Sequence, residues 1–449
     1  MINPIHNRGE MKLASKTITV FIVFFLLSSY GYSLNISNES IDNYSNKSLI
    51  INKAKLIEKD GLKLLYLNGS YYEMGYQHGF LLKKEINENM RAFMEYANKI
   101  TSYENLLEIW NMTKKYVPSC YLVEMQGIAD GSGISFEKAA ALYMIVLFID
   151  MKCFTFSAWS NATKDGKLYH VRSLDFPLTI KDPISGKYIQ ENSVLIIRKP
   201  DNGLKSLSPS IAGSFNFYQG VNEKQVSIGV QVCPSEDQTL YGLPVKFKIQ
   251  KILDTAESAQ EAIDILTENR TLGWNFIISD GEIGKGYVIE MTNNHVYVGD
   301  WNNPIEDISP FWMIENVVRR TNFFKDPTMA STQRVRYNPS GVLSLISLLK
   351  GDIFFPLWRK YRSMSIEIEK NWGNIDLNSS ISILRKVYSG KTDFFMFIFL
   401  LLMKDTILAD FHQWSVCTQT GEFVFSYADD KRNAHENNLY YFNLNDFFE

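Results

Sequence analysis

"MKCFTFSAWSNATKDGKLYHVRSLDFP", residues 151–177, sets two runs of alternating apolar and polar residues around a Lys-Asp-Gly turn. Alternation is the period of a half-buried strand, and a tight turn between two such runs makes a β-hairpin. Cys153 stands at the head of the outgoing strand, with Arg172 and Asp175 on the returning one. If the turn centres on Asp165 and Gly166, Asp175 falls opposite Phe156 and Arg172 opposite Trp159. That register leaves Asp175 about 10 Å of strand from Cys153 unless a bulge or the strand twist closes the gap. A cation near a thiol favours the nucleophilic thiolate, and a carboxylate can hold both a cation and an amine. A packed structural thiol is the competing reading, because free cysteine is among the most buried residue types.

The same theme recurs downstream. "NSVLIIRKP" and "LKSLSPSI" flank "DNG", while "NFIISD" and "YVIEMT" flank "GEIGKG", so these strands pair antiparallel. Helical periodicity covers residues 71–100 and 134–150, the second opened by Ser135 as N-cap, and Ser258 to Glu261 is a capping box opening a helix over 258–270. Hairpin-linked strands with helices grouped between them define a layered α+β fold. "FFMFIFLLLM" (394–403) is shorter than a bilayer span and is expected as a buried helix or a substrate-lining wall.

A chain of 449 residues with 45% apolar content can bury a large core, and a net charge of −3 with no dense basic stripe excludes nucleic acid as the main partner. The six histidines and four cysteines lack zinc-site spacing, so neither a metal nor a cofactor is expected. Residues 1–33 read as a signal peptide: Met11 and Lys12 precede "TITVFIVFFLLSS" (17–29), and Gly31 and Ser33 prepare a cleavage before Leu34. The expected location is therefore secreted or extracytoplasmic, with membrane contact only through an uncleaved signal segment. Residues 34–50 form an Asn/Ser-rich tether with sequons at Asn35, Asn38, Asn43 and Asn46. In an exported chain, Cys120, Cys153, Cys233 and Cys417 allow two disulfides, or one with free thiols left over.

The hairpin from Cys153 to Phe176 resembles the nucleophile hairpin of the acyl-coenzyme A:6-aminopenicillanate acyltransferase family, autoproteolytic members of the N-terminal-nucleophile (Ntn) hydrolase superfamily. Cys153, Trp159, "ATKDGKLY" (162–169), Arg172 and "LDF" carry the likeness. Further matches follow in order: "GSYYEMGYQHGFLL" (69–82), "GVNEKQVSIGV" (220–230), "TNFF" (321–324), "STQRVRY" (331–337) and "ADFHQWSVCTQTGEFVFSY" (409–427). The family is similar in turn to penicillin V acylases, bile salt hydrolases and acid ceramidases. The resemblance implies a four-layer αββα sandwich, two antiparallel sheets between helical layers, made of a helical leader (51–152) and a catalytic segment (153–449) in one domain.

It also implies a mechanism. Once the Lys152–Cys153 bond is cut, the Cys153 α-amine, with an unperturbed pKa of about 7.7–8.0, serves as base without any histidine. The thiolate attacks an amide carbonyl, the amine protonates the leaving amine, and water or a second amine resolves the thioester. By matched position Asp175 orients the amine, Arg172 biases the thiol toward thiolate, Asn322 helps form the oxyanion hole, and Arg334 lies beside the nucleophile. On residue type alone, Asn322 reads as a strand end and Arg334 as a solvated charge. Lys152 departs from the small residue usual before the nucleophile, and the second oxyanion donor falls near Gln231 and Val232, unassigned. His78 reads as a helix-packing residue. The implied partner is a small-molecule N-acyl amide, with hydrolysis favoured over transfer where water is abundant and coenzyme A thioesters are not. Phe154, Phe156, Trp159, Phe176, Phe323 and Phe324 are expected to wall an apolar acyl pocket, and the charges on the hairpin to matter for turnover more than for folding. Two other readings stay open: a papain-like pairing of Cys153 with His412, and a non-catalytic binder of hydrophobic ligands in which Cys153 pairs with Cys120.

Overall fold

The computed structural model describes residues 47–149, 151–308, 310–334, 354–389 and 409–448. The signal segment, the four sequons and the apolar stretch 394–403 lie outside the described residues. The last residues of the tether are helical, in a short helix Lys47–Asn52 that buries Ile50.

The leader opens with two strands that the sequence reading missed, β1 (Lys55–Lys59) and β2 (Leu62–Gly69), joined by Asp60 and Gly61, both at positive φ. Helix α1 (Tyr71–Leu81) starts at a complete capping box: Ser70 accepts from the Glu73 amide and Glu73 accepts from the Ser70 amide. Leu82 then leaves helical geometry and buries its side chain, so the one helix expected over 71–100 is two, the second being α2 (Lys83–Ala97). Helices α3 (Tyr103–Thr113), α4 (Ser119–Ser132) and α5 (Phe136–Ile145) complete the leader. Ser135 accepts from the Lys138 amide at the start of α5. Helices α1 and α4 cross with their backbones in contact. A Cβ on Gly75 would stand 2.1 Å from the Glu124 carbonyl oxygen, and one on Gly127 would stand 2.4 Å from that of Tyr72.

The hairpin follows as β3 (Lys152–Ser160) and β4 (Gly166–Phe176), and then β5 (Ser193–Pro200), β6 (Ser206–Ile211), β7 (Gln219–Asn222) and β8 (Val226–Val232). Helices α6 (Val245–Thr255) and α7 (Ala259–Thr267) precede β9 (Trp274–Asp280), β10 (Lys285–Met291), β11 (Val296–Gly299) and β12 (Val317–Arg320). Helices α8 (Phe354–Lys370) and α9 (Leu377–Tyr388) and strands β13 (Ala409–Cys417), β14 (Glu422–Tyr427) and β15 (Tyr440–Asn443) close the chain.

Two sheets result, ordered β1-β2-β5-β6-β7-β8-β9-β10-β11 and β12-β3-β4-β13-β14-β15. Every neighbouring pair is antiparallel except β2 with β5, which run parallel. The sheets face each other: Leu62, Leu195, Ile197 and Leu207 of the first share a buried cluster with Trp414, Val416, Phe423 and Phe425 of the second. Helices α1, α6 and α7 lie on the nine-stranded sheet, and α8 and α9 cover the six-stranded one. The architecture is the expected α+β four-layer sandwich of helices, sheet, sheet and helices.

The hairpin register departs from expectation by four residues: Lys152 pairs with Asp175, Cys153 with Leu174 and Thr155 with Arg172. The cause is the turn, which spans residues 161–165 instead of two residues. Thr163 donates from its amide to Ser160 O (3.1 Å) and from its hydroxyl to Lys167 O (2.9 Å), while Ser160 and Gly166 take positive φ. Residues counted as strand are spent in the turn, and Asp175 arrives beside the cysteine.

Candidate active site

Strand alternation divides the hairpin's polar groups between two faces. Cys153, Thr155 and Arg172 point toward the nine-stranded sheet; Ser173 and Asp175 point toward α8 and α9. Cys153 is 2% exposed and Arg172 is fully buried. The Arg172 Nη2 donates to Cys153 Sγ (3.3 Å) and to Val230 O (2.8 Å), and its Nη1 donates to Gln219 Oε1 (2.7 Å). Room for this guanidinium comes from Gly229 on β8, where a Cβ would meet Arg172 Cδ at 2.8 Å and the His170 ring at 2.9 Å.

Asn322 reaches the same point from the loop after β12. Its Oδ1 accepts from the Cys153 amide at 2.7 Å, and its Nδ2 donates to Val232 O at 2.8 Å. Asn275 on β9 steadies that loop by donating to the carbonyls on either side of Asn322, Thr321 O (3.0 Å) and Phe323 O (2.7 Å). The loop is also bracketed by buried charge. Arg320 pairs with Glu290 and Glu306, and Lys325 with Glu306 at 2.7 Å.

Asp175 is fully buried between Lys360 of α8 and the Tyr388 hydroxyl of α9, both of which donate to its carboxylate. Sequence reasoning missed Lys360, Tyr388, Gln219 and Asn275. Lys360 and Tyr388 sit on ordinary amphipathic helices, 185 and 213 residues downstream of Asp175, and nothing in their spacing marks them.

Burial pushes the Cys153 thiol up to about 11; the Arg172 charge pulls it down, Asp175 pushes it further up, and Lys360 pulls it down. At neutral pH Cys153 is therefore a thiol, held next to the cation that favours its ionisation.

Of the residues singled out from sequence, Cys153, Arg172 and Asn322 meet around one peptide bond, while Asp175 sits opposite Lys152 on β4 with its carboxylate on the other face, held by Lys360 and Tyr388. Arg334 does not join their hydrogen bonds. Its side chain is half exposed and pairs with Glu236 at 3.3 Å, and its amide donates to Pro234 O. His412 is bonded elsewhere, to Ser193 Oγ (3.0 Å) and Gln219 Nε2 (3.4 Å), so the imidazole is separated from the thiol by Gln219 and Arg172. Burial also holds the ring well below its usual titration range. The papain-like pairing is not formed. His78 accepts from the Gly213 amide at 3.0 Å, tying α1 to the loop after β6. All four cysteines are free, so neither of the disulfide arrangements open to an exported chain is formed, nor is the Cys153–Cys120 pair of the non-catalytic reading. The six aromatics expected to wall a pocket are fully or almost fully buried, Phe176 in the cluster that includes Cys153 and the other five in a second one. A small apolar pocket of about 20 Å³, room for one water, lies between Leu147, Leu240, Val245, Leu272 and Trp274. Trp274 stacks on Tyr218 (6.1 Å), and both belong to the buried apolar cluster that includes Cys153.

No protein-family model matches the chain. Among curated proteins it is similar to dcd1B of Dictyostelium discoideum, 25% identical over 332 residues, covering 65% of this chain and 64% of that protein. It is 24% identical over 371 residues to an uncharacterized protein of Archaeoglobus fulgidus (72% of this chain, 58% of that one) and 24% identical over 391 residues to dcd1A of Dictyostelium discoideum (76% and 86%). The chain thus spans less than two thirds of the first two of these relatives. Among solved structures it is similar to a Caenorhabditis elegans N-acylethanolamine-hydrolyzing acid amidase ortholog (TM-score 0.39, 13% identity, 65% of this chain and 100% of that one) and to the penicillin V acylase of Agrobacterium tumefaciens (0.38, 13%, 66% and 86%). A mutant of the conjugated bile acid hydrolase of Clostridium perfringens gives 0.39, 14%, 66% and 94%. Likenesses this low leave the chemistry to be read from the side chains.

Proposed function

We propose that this chain is a self-processing cysteine amide hydrolase of the Ntn type, exported, that cuts its own Lys152–Cys153 bond and then cleaves N-acyl amides through a Cys153 thioester. The observation that carries the reading is the grip on that one peptide bond: Asn322 holds the Cys153 amide while Arg172 holds its thiol, and among the described residues no imidazole is bonded to either. An internal thiol so placed is of little use as a conventional nucleophile, but cleavage would turn the held amide into an α-amine, a base with a pKa near neutrality. Asn322 Oδ1 would then keep that amine in place, and the buried Arg172 would favour the thiolate. Transfer to a second amine in place of water is compatible with the same thioester.

The test is direct. Purified wild-type protein should run as two fragments on a denaturing gel, the larger with Cys153 as its first residue, and Cys153→Ala as one. A single full-length wild-type band in protein that cleaves amides would overturn the processing step. Tyr218 and Trp274 stack within the same buried apolar cluster as Cys153, which favours an aliphatic acyl group. Each buried methylene contributes about 0.8 kcal/mol, so kcat/KM should rise with acyl length across an acetyl-to-palmitoyl panel at fixed amine; a flat profile would reject the apolar acyl group.

A further inference from the structure

Asp175 does not face the helices alone. Strands β4 and β13 place Asp410 directly opposite it, carboxyl against carboxyl, in a fully buried setting. Like charges directly opposed on a sheet are destabilising, and two carboxylates sharing one site cannot both ionise cheaply. Between them runs an unbroken hydrogen-bonded chain: Tyr388 OH to Asp175 Oδ1, Tyr388 OH to Ser173 Oγ at 2.7 Å, and Ser173 Oγ to Asp410 Oδ1 at 2.9 Å. The chain has three contacts and therefore needs three protons, but its two hydroxyls supply only two. The third has to come from a carboxyl group.

We infer that Asp175 and Asp410 share one proton, seated on Asp410, and that this proton makes the proposed amide-cleaving site acid-requiring. Two facts seat it there. Asp175 has the Lys360 ammonium against it, whereas Asp410 has the His435 ring, at 3.2 Å from its Oδ2, and no lysine among the described residues. Burial also pushes the Asp410 carboxyl above its usual range, with Asp175 adding to the push and His435 opposing it. With Asp410 protonated, its O–H donates to Ser173, Ser173 donates to Tyr388, and Tyr388 donates to Asp175, so every contact is filled and Asp175 is held in one orientation. Moving the proton to Asp175 reverses all three bonds: Asp175 O–H to Tyr388, Tyr388 to Ser173, Ser173 to Asp410. No atom need move far, and charge is conserved.

The charged and titratable groups around the pair come from every packed element. Cys153 of β3, Arg172 of β4, Lys360 of α8 and Tyr388 of α9 act on Asp175. Arg385 of α9 and His435, in the segment between β14 and β15, act on Asp410. His435 stacks on the Tyr388 ring at 4.8 Å and is partly exposed, which makes it the point where the chain meets solvent. Asp410, Ser173 and Tyr388 are positioning residues acting through Asp175.

As pH rises through the Asp410 ionisation, the shared proton is lost, a second negative charge appears opposite Asp175, and the Ser173–Tyr388 contact has no hydrogen. Activity should fall on that alkaline limb. This inference rests on the proposed hydrolase reading, and its test separates the two. The infrared difference spectrum of wild type minus Asp410→Asn should show a protonated buried carboxyl group at neutral pH that disappears at higher pH, together with the wild type's kcat/KM on an N-acyl amide. The Asn amide donates to Ser173 as the acid does, so Asp410→Asn should hold its kcat/KM past the pH at which wild type falls, with KM little changed. Absence of that band, or coincident pH profiles, overturns the inference. A titrating band in a protein that cleaves no amide at any pH upholds the shared proton and removes the hydrolase reading. Should Asp410→Asn fail to fold, Ser173→Ala takes its place: the carboxyl band must shift as it loses its acceptor, and an unshifted band overturns the inference.

Discussion

One guanidinium opposes the cost of burying a thiolate at Cys153. Burial works against the Cys153 thiolate, and Arg172, 3.3 Å from Sγ, works for it. Removing that charge in Arg172→Met should shift the pH dependence of Cys153 alkylation to higher pH, measured as iodoacetamide rate against pH; an unmoved curve would mean the guanidinium serves packing alone. Asp175 is a different case. On sequence grounds its charge matters for turnover more than folding, but the structure buries it against Lys360, and stripping one partner from a buried ion pair costs about 3–5 kcal/mol. Asp175→Asn should therefore lower the melting temperature as well as any amide cleavage, and adding Lys360→Met should restore much of the first without the second. The Cys153–Asn322 contact joins residues 169 positions apart. No local pattern discloses a contact of that span, and only the resemblance to a family points to it.

At the scale of elements, strand pairing is legible in the sequence and register is not. Alternation around "KDG" reveals a hairpin, yet the Thr163 hydrogen bonds and its bridge to Ile375, just ahead of α9, fix how many residues the turn consumes. The bridge to Ile375 is tertiary and the wide turn is not marked by its residues, so a count from the turn misses the register by four residues. The missed β1–β2 hairpin is another matter, because Asp60-Gly61 between short runs is a strong local signal. The helices that follow mask it. Gly229 is an element-scale prediction: Gly229→Ala should push the Arg172 and His170 side chains out of line, costing about 1–3 kcal/mol by overpacking. Thermal melts should register that loss, and alkylation of Cys153 should shift alkaline as it does for Arg172→Met.

For the whole molecule, the leader is built into the fold. Strand β2 runs beside β5 from Lys63–Val194 to Gly69–Pro200, Glu124 of α4 pairs with Arg198 of β5, and the Phe215 amide donates to Tyr143 of α5. If the Lys152–Cys153 bond is cut, the two pieces should co-elute on size exclusion in native buffer and separate only in denaturant; release of free leader in native buffer would contradict this packing. The parallel β2–β5 pairing has one more consequence. Residues 153–449 produced alone would present β5, with Val194, Leu195, Ile196 and Ile197 in a row, as an unguarded sheet margin whose amides and carbonyls are open to the next molecule, the template for edge-to-edge aggregation. By occupying that margin the leader acts as a built-in chaperone, one that would stay on even if its peptide bond were cut.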